Sequence, residues 1–181
     1  MPDYGPYTAL SGGPYGVTHE PGAGNPGGAI SMTDPDGVTW FFSAPGAYLG
    51  NQLAAYGTSL SYDIRISYKS WEDADVALYG AGMSLAVDAG AEPDEGVWTH
   101  YSVNFDDVSG WKLGNLDGVA ATEAQIKAVL ADLQGLYIRG EYAIGPDYTY
   151  LDNVSFVPEP GASTFVAGLG VLAFIALRRR V

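Results

Sequence analysis

Apolar residues alternate most regularly between Ser59 and Tyr68, where Leu60, Tyr62, Ile64, Ile66 and Tyr68 share one face. A period of two with one apolar side predicts a strand that is half buried in a sheet. Trp98–Phe105 alternates in the same way. Val38–Ser43 is a β-branched and aromatic run that stops at Ala44-Pro45-Gly46. Asp75–Gly80 and Met83–Val87 read as a hairpin turning at Gly80-Ala81-Gly82. Leu136–Tyr142 and Tyr150–Val157 complete the set. Six or more short strands separated by Gly, Pro and Asp turns predict an all-β sandwich or jelly roll.

One segment changes period. Ile126, Val129, Leu130 and Leu133 fall at helical spacing behind a capping box, Thr122-x-x-Gln125. A short helix is expected from about Glu123 to Gln134, with Gly135 just past its end. Its apolar stripe is read as core packing.

The composition narrows the function. Over 181 residues the net charge is −13, with 8 basic and 21 acidic residues. Nucleic-acid binding rests on Lys and Arg neutralising phosphates, so no nucleic-acid partner is expected. The absence of Cys removes disulfides, thiolate metal sites and a Cys nucleophile.

The charge is uneven. Three arginines, Arg178, Arg179 and Arg180, sit at the very end, behind a run from Ala162 to Leu177 that carries no charge. As a helix this run would span roughly 24 Å at about 1.5 Å per residue. That is short for the hydrocarbon core, but local thinning and arginines reaching to the headgroups make it usable. Residues 162–177 are therefore read as a C-terminal transmembrane helix; a buried core helix is the competing reading. The basic end belongs on the cytoplasmic side and the acidic body outside. Met1-Pro2-Asp3-Tyr4-Gly5 shows neither the basic nor the apolar part of an export signal, so the reading frame is expected to begin upstream.

Val157-Pro158-Glu159-Pro160-Gly161 stands directly before the apolar run. Pro-Glu-Pro, an apolar span and a terminal basic cluster, in that order, resemble the PEP-CTERM sorting signal that exosortase recognises in Gram-negative bacteria. The sorting residues are then Pro158, Glu159, Pro160, Arg178, Arg179 and Arg180. The resemblance implies export, transient anchoring in the inner membrane, cleavage near the motif and delivery to the cell surface or extracellular matrix. The two prolines disfavour helix around Glu159 and leave an extended segment open to a processing enzyme. A stiff linker is the plainer reading of the same prolines.

A second resemblance covers most of the body, roughly Thr18 to Phe156. Trp40-Phe41-Phe42-Ser43-Ala44-Pro45, Tyr48-Leu49-Gly50-Asn51-Gln52 and Tyr56-Gly57, followed by Val76–Gly80, Trp98, the Leu130/Leu133 helix, Leu136–Tyr142 and Leu151-Asp152-Asn153-Val154, resemble the laminin IV type A (laminin B) domain in order and spacing. The resemblance implies a jelly-roll sandwich related in shape to carbohydrate-binding modules, and an extracellular, structural or adhesive role. It divides the chain into a body, 1–157, whose N-terminal strand is cut short, and a sorting tail, 158–181.

No catalytic site is expected. His19 and His100 are not in a metal-ligand spacing, and no Gly-x-Ser-x-Gly or Walker-type loop is present. The carboxylate groups Glu72-Asp73-x-Asp75, Glu92-x-Asp94-Glu95 and Asp106-Asp107 are read as solvated loops rather than a glycosidase pair. No cofactor is called for. Calcium is the better small ligand for oxygen-rich loops, with Glu20 and Asp152 as partners where the first and last strands would meet, against plain surface acids. Trp40, Phe41, Phe42 and Trp98 are assigned to core packing. Tyr48, Tyr56, Trp71 and Trp111, in or near turns, are the candidates for an exposed contact surface, with extracellular polysaccharide as a partner. The function expected is a non-enzymatic surface or matrix adhesion domain; a carbohydrate-binding module is the alternative, and a secreted glycan hydrolase a remote one.

Overall fold

Alternation along Ser59–Ile66 places Leu60, Tyr62, Ile64 and Ile66 at zero exposure, and every other element is arranged around that buried face. The computed structural model describes residues 17–34 and 40–156. The strands are β1 (Thr18–Gly24), β2 (Gly27–Asp34), β3 (Phe41–Ser43), β4 (Ser59–Ile66), β5 (Val76–Gly80), β6 (Met83–Val87), β7 (Thr99–Asn104), β8 (Lys112–Leu113), β9 (Leu133–Arg139) and β10 (Asp147–Phe156), with one α-helix, α1 (Glu123–Ala131). They form two five-stranded antiparallel sheets, β1-β2-β10-β4-β7 and β3-β9-β5-β6-β8. This is the expected all-β sandwich with one short helix.

The inner faces meet in a single core. Tyr62, Ile64, Leu151 and Val103 of the first sheet face Phe42, Val76, Leu78, Leu85 and Ile138 of the second. Burying each large aliphatic side chain contributes on the order of 2 kcal/mol. The opposite face of the second sheet holds a smaller apolar cluster of Phe41, Ala77, Ala86 and Tyr137 with Ala74. Gly140 is required where the chain passes Trp40: a β-carbon there would overlap the Trp40 indole.

Several details differ from the sequence reading. The helix ends at Ala131, and Leu133 and Gly135 already belong to β9. The capping box does form, with Thr122 accepting from the Gln125 N–H and Gln125 reaching back to the Thr122 N–H. The hairpin turns on Ala81 and Gly82, both with positive φ, as a tight two-residue turn needs. β4 stops at Ile66, so Tyr68 is 52% exposed rather than on the core face. β1, β2 and β8 were not expected as strands. β1 contains Pro21, which an edge strand tolerates because its outer N–H groups need no partner.

Val17 and Phe156 line the same apolar crevice of about 250 Å³ between the sheets, together with Tyr48, Ile30 and Leu136. The described chain therefore begins and ends at one end of the sandwich. Val38 and Thr39, the residues before Val17, and the whole tail from Val157 lie outside the described residues. These include Pro158, Glu159, Pro160, the expected span 162–177 and Arg178, Arg179 and Arg180. Among the described residues no helix is long and apolar enough to cross a membrane.

Candidate functional site

With the even positions of β4 in the core, Ser61, Asp63 and Arg65 must point outward. Pairing carries this parity across the sheet. Asp63 stands between Asp152 of β10 and His100 of β7, and Arg65 is opposite Tyr150. Trp98 shares the parity of His100, one residue before β7. The outer face of the first sheet thus carries a serine row (Ser61, Ser102, Ser155), a polar row and an aromatic row.

The polar row is tightly knit. Asp63 accepts from Asn153 Nδ2 at 2.7 Å, from Asn25 Nδ2 at 3.2 Å and from His100 Nδ1 at 2.6 Å. Burial by itself would raise the Asp63 pKa; hydrogen bonds from Asn153, His100 and Asn25 outweigh it and hold the carboxyl below its ordinary range. Asp152 accepts from the backbone N–H groups of Asn25 and Asn153, at 2.6 and 2.7 Å. Asn153 sits at the bulge of β10 with φ +51°, which turns its amide onto this row.

In the aromatic row the Arg65 guanidinium lies over Trp98 at 5.0 Å and over Tyr150 at 4.4 Å from the ring centroids. Tyr148 meets Tyr150 edge to face at 5.6 Å and is 47% exposed. Arg65 forms no ion pair among the described residues.

A second cluster lies under the loops after β4 and β6. Arg139 is completely buried. It donates to Glu92 Oε1 at 2.6 Å, to the carbonyls of Trp71 at 2.6 Å and Asp73 at 3.3 Å, and through Nε to the Glu141 carbonyl at 2.7 Å. Its guanidinium stacks on Tyr142 at 4.1 Å and Trp71 at 5.1 Å. Asp75 Oδ1 is 3.8 Å from Arg139 and accepts from the Tyr142 hydroxyl at 3.3 Å; its Oδ2 accepts from the Ala89 N–H at 2.8 Å. Burial pushes the Asp75 carboxyl up to about 7, against the Ala89 hydrogen bond and Arg139. Burial likewise raises Glu92. Glu92 and Trp71 line an open depression of about 510 Å³ with Lys69, Ser70 and Glu72.

These positions correct several expectations. Asp75 and Glu92 are not solvated loop acids, because Arg139 draws both loops inward. Trp111 is 1% exposed, stacked on Phe105 with its indole N–H donating to the Asn104 carbonyl, and is core rather than contact surface. Trp98 is the reverse: it is on the outer face, since it has the parity of Asp63 and Arg65. Tyr48 lines the apolar crevice, and Tyr56 is half buried under Lys127. Glu20 and Asp152 do not meet, because β2 runs between their strands. Glu20 accepts instead from Ser31 Oγ, and among the described residues no group of three or more acids and histidines could hold a metal ion. His19 is an exposed residue of β1 and His100 an exposed strand residue with Asp63 as its partner.

Two antiparallel sheets around one core, with a polar and aromatic outer face, define a β-sandwich domain of jelly-roll type. The laminin B (domain IV) family profile matches residues 41–158, and the chain belongs to that family. A PEP-CTERM protein-sorting motif profile follows at residues 156–180. The chain is 31% identical to zebrafish (Danio rerio) laminin subunit gamma-1 over 141 residues, covering 72% of this chain and 8% of that protein. It is 30% identical to human laminin subunit gamma-2 over 125 residues, covering 65% of this chain and 10% of the relative. It spans only a small fraction of either relative. The L4b domain of human laminin alpha-2 has the same fold at a TM-score of 0.57 and 17% identity, covering 70% of this chain and 78% of that one.

Proposed function

We propose that this is an exported bacterial surface or matrix protein whose body, 1–157, is a non-catalytic adhesion or interaction domain and whose tail, 158–181, is a sorting signal. In this reading exosortase acts on the tail around Pro158-Glu159-Pro160, after transient anchoring through residues 162–177 with Arg178, Arg179 and Arg180 on the cytoplasmic side of the inner membrane. The protein then reaches the cell surface or extracellular matrix of a Gram-negative organism. The observation that carries it is the order of the two family matches, a laminin B domain followed at once by a sorting motif. The test is fractionation of a Gram-negative host expressing the native reading frame, with and without its exosortase. A shortened chain at the surface or in the medium, lost when Pro158, Glu159 and Pro160 are changed to Ala, is expected. An intact chain dissolved in the cytosol would refute the proposal.

Polysaccharide binding is the second reading. It is favoured by the Trp98–Arg65–Tyr150 row, which leaves aromatic rings and a guanidinium on an outer face. Hydrolysis has no comparable support: Asp75 is 3% exposed and is tied to Ala89, Tyr142 and Arg139. Glycan turnover by the purified chain would revive it.

A further inference from the structure

The polysaccharide reading, on which this inference rests, leaves open what kind of glycan the outer face would take. The answer depends on how donors and acceptors are ordered there. Arg65 is pinned over two rings, so its guanidinium is already oriented and its N–H donors are not spent on any carboxylate among the described residues. This occurs in a body that carries twenty acids against five bases.

One register step along β4 and β10, the acceptors begin. Asp152 is half-buried there with His100 exposed across the sheet, and between them Asp63 is buried and already accepts from Asn25, Asn153 and His100. A carboxylate or phosphate ligand accepts only, so it would meet Arg65 favourably and the next row unfavourably. A sugar hydroxyl both donates and accepts, and it is served by both rows. Exposed Tyr148 and the flanks of Trp98 and Tyr150 add surfaces for the C–H faces of sugar rings, at little cost in side-chain entropy. The Ser61, Ser102 and Ser155 row lies one step further along the strands, past the β1–β2 turn whose Asn25 bonds to Asp63 and Asp152. The net charge of −13 discourages polyanions from approaching at all.

We infer that the outer face of the first sheet binds a neutral polysaccharide, with Arg65 donating to its hydroxyls, Asp152 and His100 completing the hydrogen bonds and Tyr148, Trp98 and Tyr150 supporting its rings. On the opposite sheet Phe41, Ala77, Ala86 and Tyr137 form a buried apolar cluster instead.

The test is equilibrium binding of the purified full-length chain, in a detergent without a sugar headgroup, to a panel of soluble neutral α- and β-glucans and to a polyuronate. Saturable binding to at least one neutral glucan is expected, with affinity changing less than about twofold on raising the salt, since no ion pair forms with the ligand. Arg65→Gln, Tyr148→Ala and Trp98→Ala should each weaken it about tenfold, and Val108→Ser, at an exposed site outside this face, should not. Thermal melting checks that each variant is folded, and Arg65→Gln, which removes no core atom, keeps the test decisive should Trp98→Ala unfold. Binding to none of the glucans, preference for the polyuronate, or wild-type affinity in folded Arg65→Gln and Tyr148→Ala would each overturn the inference. Glucan binding without surface delivery would overturn the export proposal alone, and surface delivery without glucan binding this inference alone.

Discussion

Arg139 and Arg65 are both stacked on two aromatic rings, yet they have opposite surroundings. Arg139 is wholly buried between Trp71 and Tyr142, beside Glu92 and Asp75, and holds three backbone carbonyls. Arg65 lies on the outer face between Trp98 and Tyr150 and pairs with no acid among the described residues. Aromatic stacking fixes a guanidinium in both places. Whether the fixed group becomes an internal fastener or an outward donor is decided by the acids and carbonyls brought to it. The first arginine joins segments far apart in sequence, and the second is left with its hydrogen-bonding capacity intact.

The comparison predicts unequal costs. Arg139→Met leaves Glu92 and Asp75 without their counter-charge and releases three carbonyls; a loss of about 3–5 kcal/mol is expected. Chemical denaturation would show it as a large drop in the transition midpoint, and a drop no greater than that of Arg65→Met would erase the distinction. Asp75 gives the next effect. Its folded pKa is raised from 3.8 to about 7, so the folded state holds a proton that the unfolded chain gives up over that interval. Stability should therefore fall as pH rises from about 4 to 7, by up to about 4 kcal/mol. Asp75→Asn should flatten this slope in pH-dependent melting; an unchanged slope would count against the buried carboxyl as its source.

Asp63 should show the reverse sign. Its folded pKa lies below the ordinary value, so its contribution is present above that value and is lost as pH falls through the lowered one. Asp63→Asn should remove a modest acid-side loss and leave the alkaline side unaltered, again read by melting. The smallest effect belongs to Arg65→Gln. A half-buried cation–π contact contributes on the order of 1 kcal/mol, so its melting point should move only slightly. A loss as large as that of Arg139→Met would show that Arg65 supports the fold rather than a ligand.

What could be seen in the sequence follows the range of the interactions. The β4 alternation and the Thr122–Gln125 capping box are local, and both appear in the structure. β1 was not legible, because Thr18-His19-Glu20-Pro21-Gly22-Ala23-Gly24 has neither alternation nor β-branched content beyond its first residue; β2 holds it in place by pairing. The parity that puts Trp98 beside Arg65 was present in the chain, but only the pairing of Asp63 with His100 shows which face is outer. The Arg139 cluster joins Trp71, Asp73, Asp75, Glu92 and Glu141 across two loops. No local pattern distinguishes such loops from solvated ones. Trp111 was misplaced for the same reason: its neighbours are polar and turn-like, and Phe105 buries it from a distance of several residues.

β10 runs from the aromatic row to the crevice, with Tyr148 near its start and Phe156 at its end. At about 3.3 Å per residue these two residues are some 25 Å apart. The sorting motif match begins at Phe156. The rings of the outer face therefore lie at the opposite end of β10 from the point where the sorting motif match begins. Under the export and glycan-binding proposals, the same last strand that completes the sheet would also serve as a spacer between the membrane anchor and the binding face.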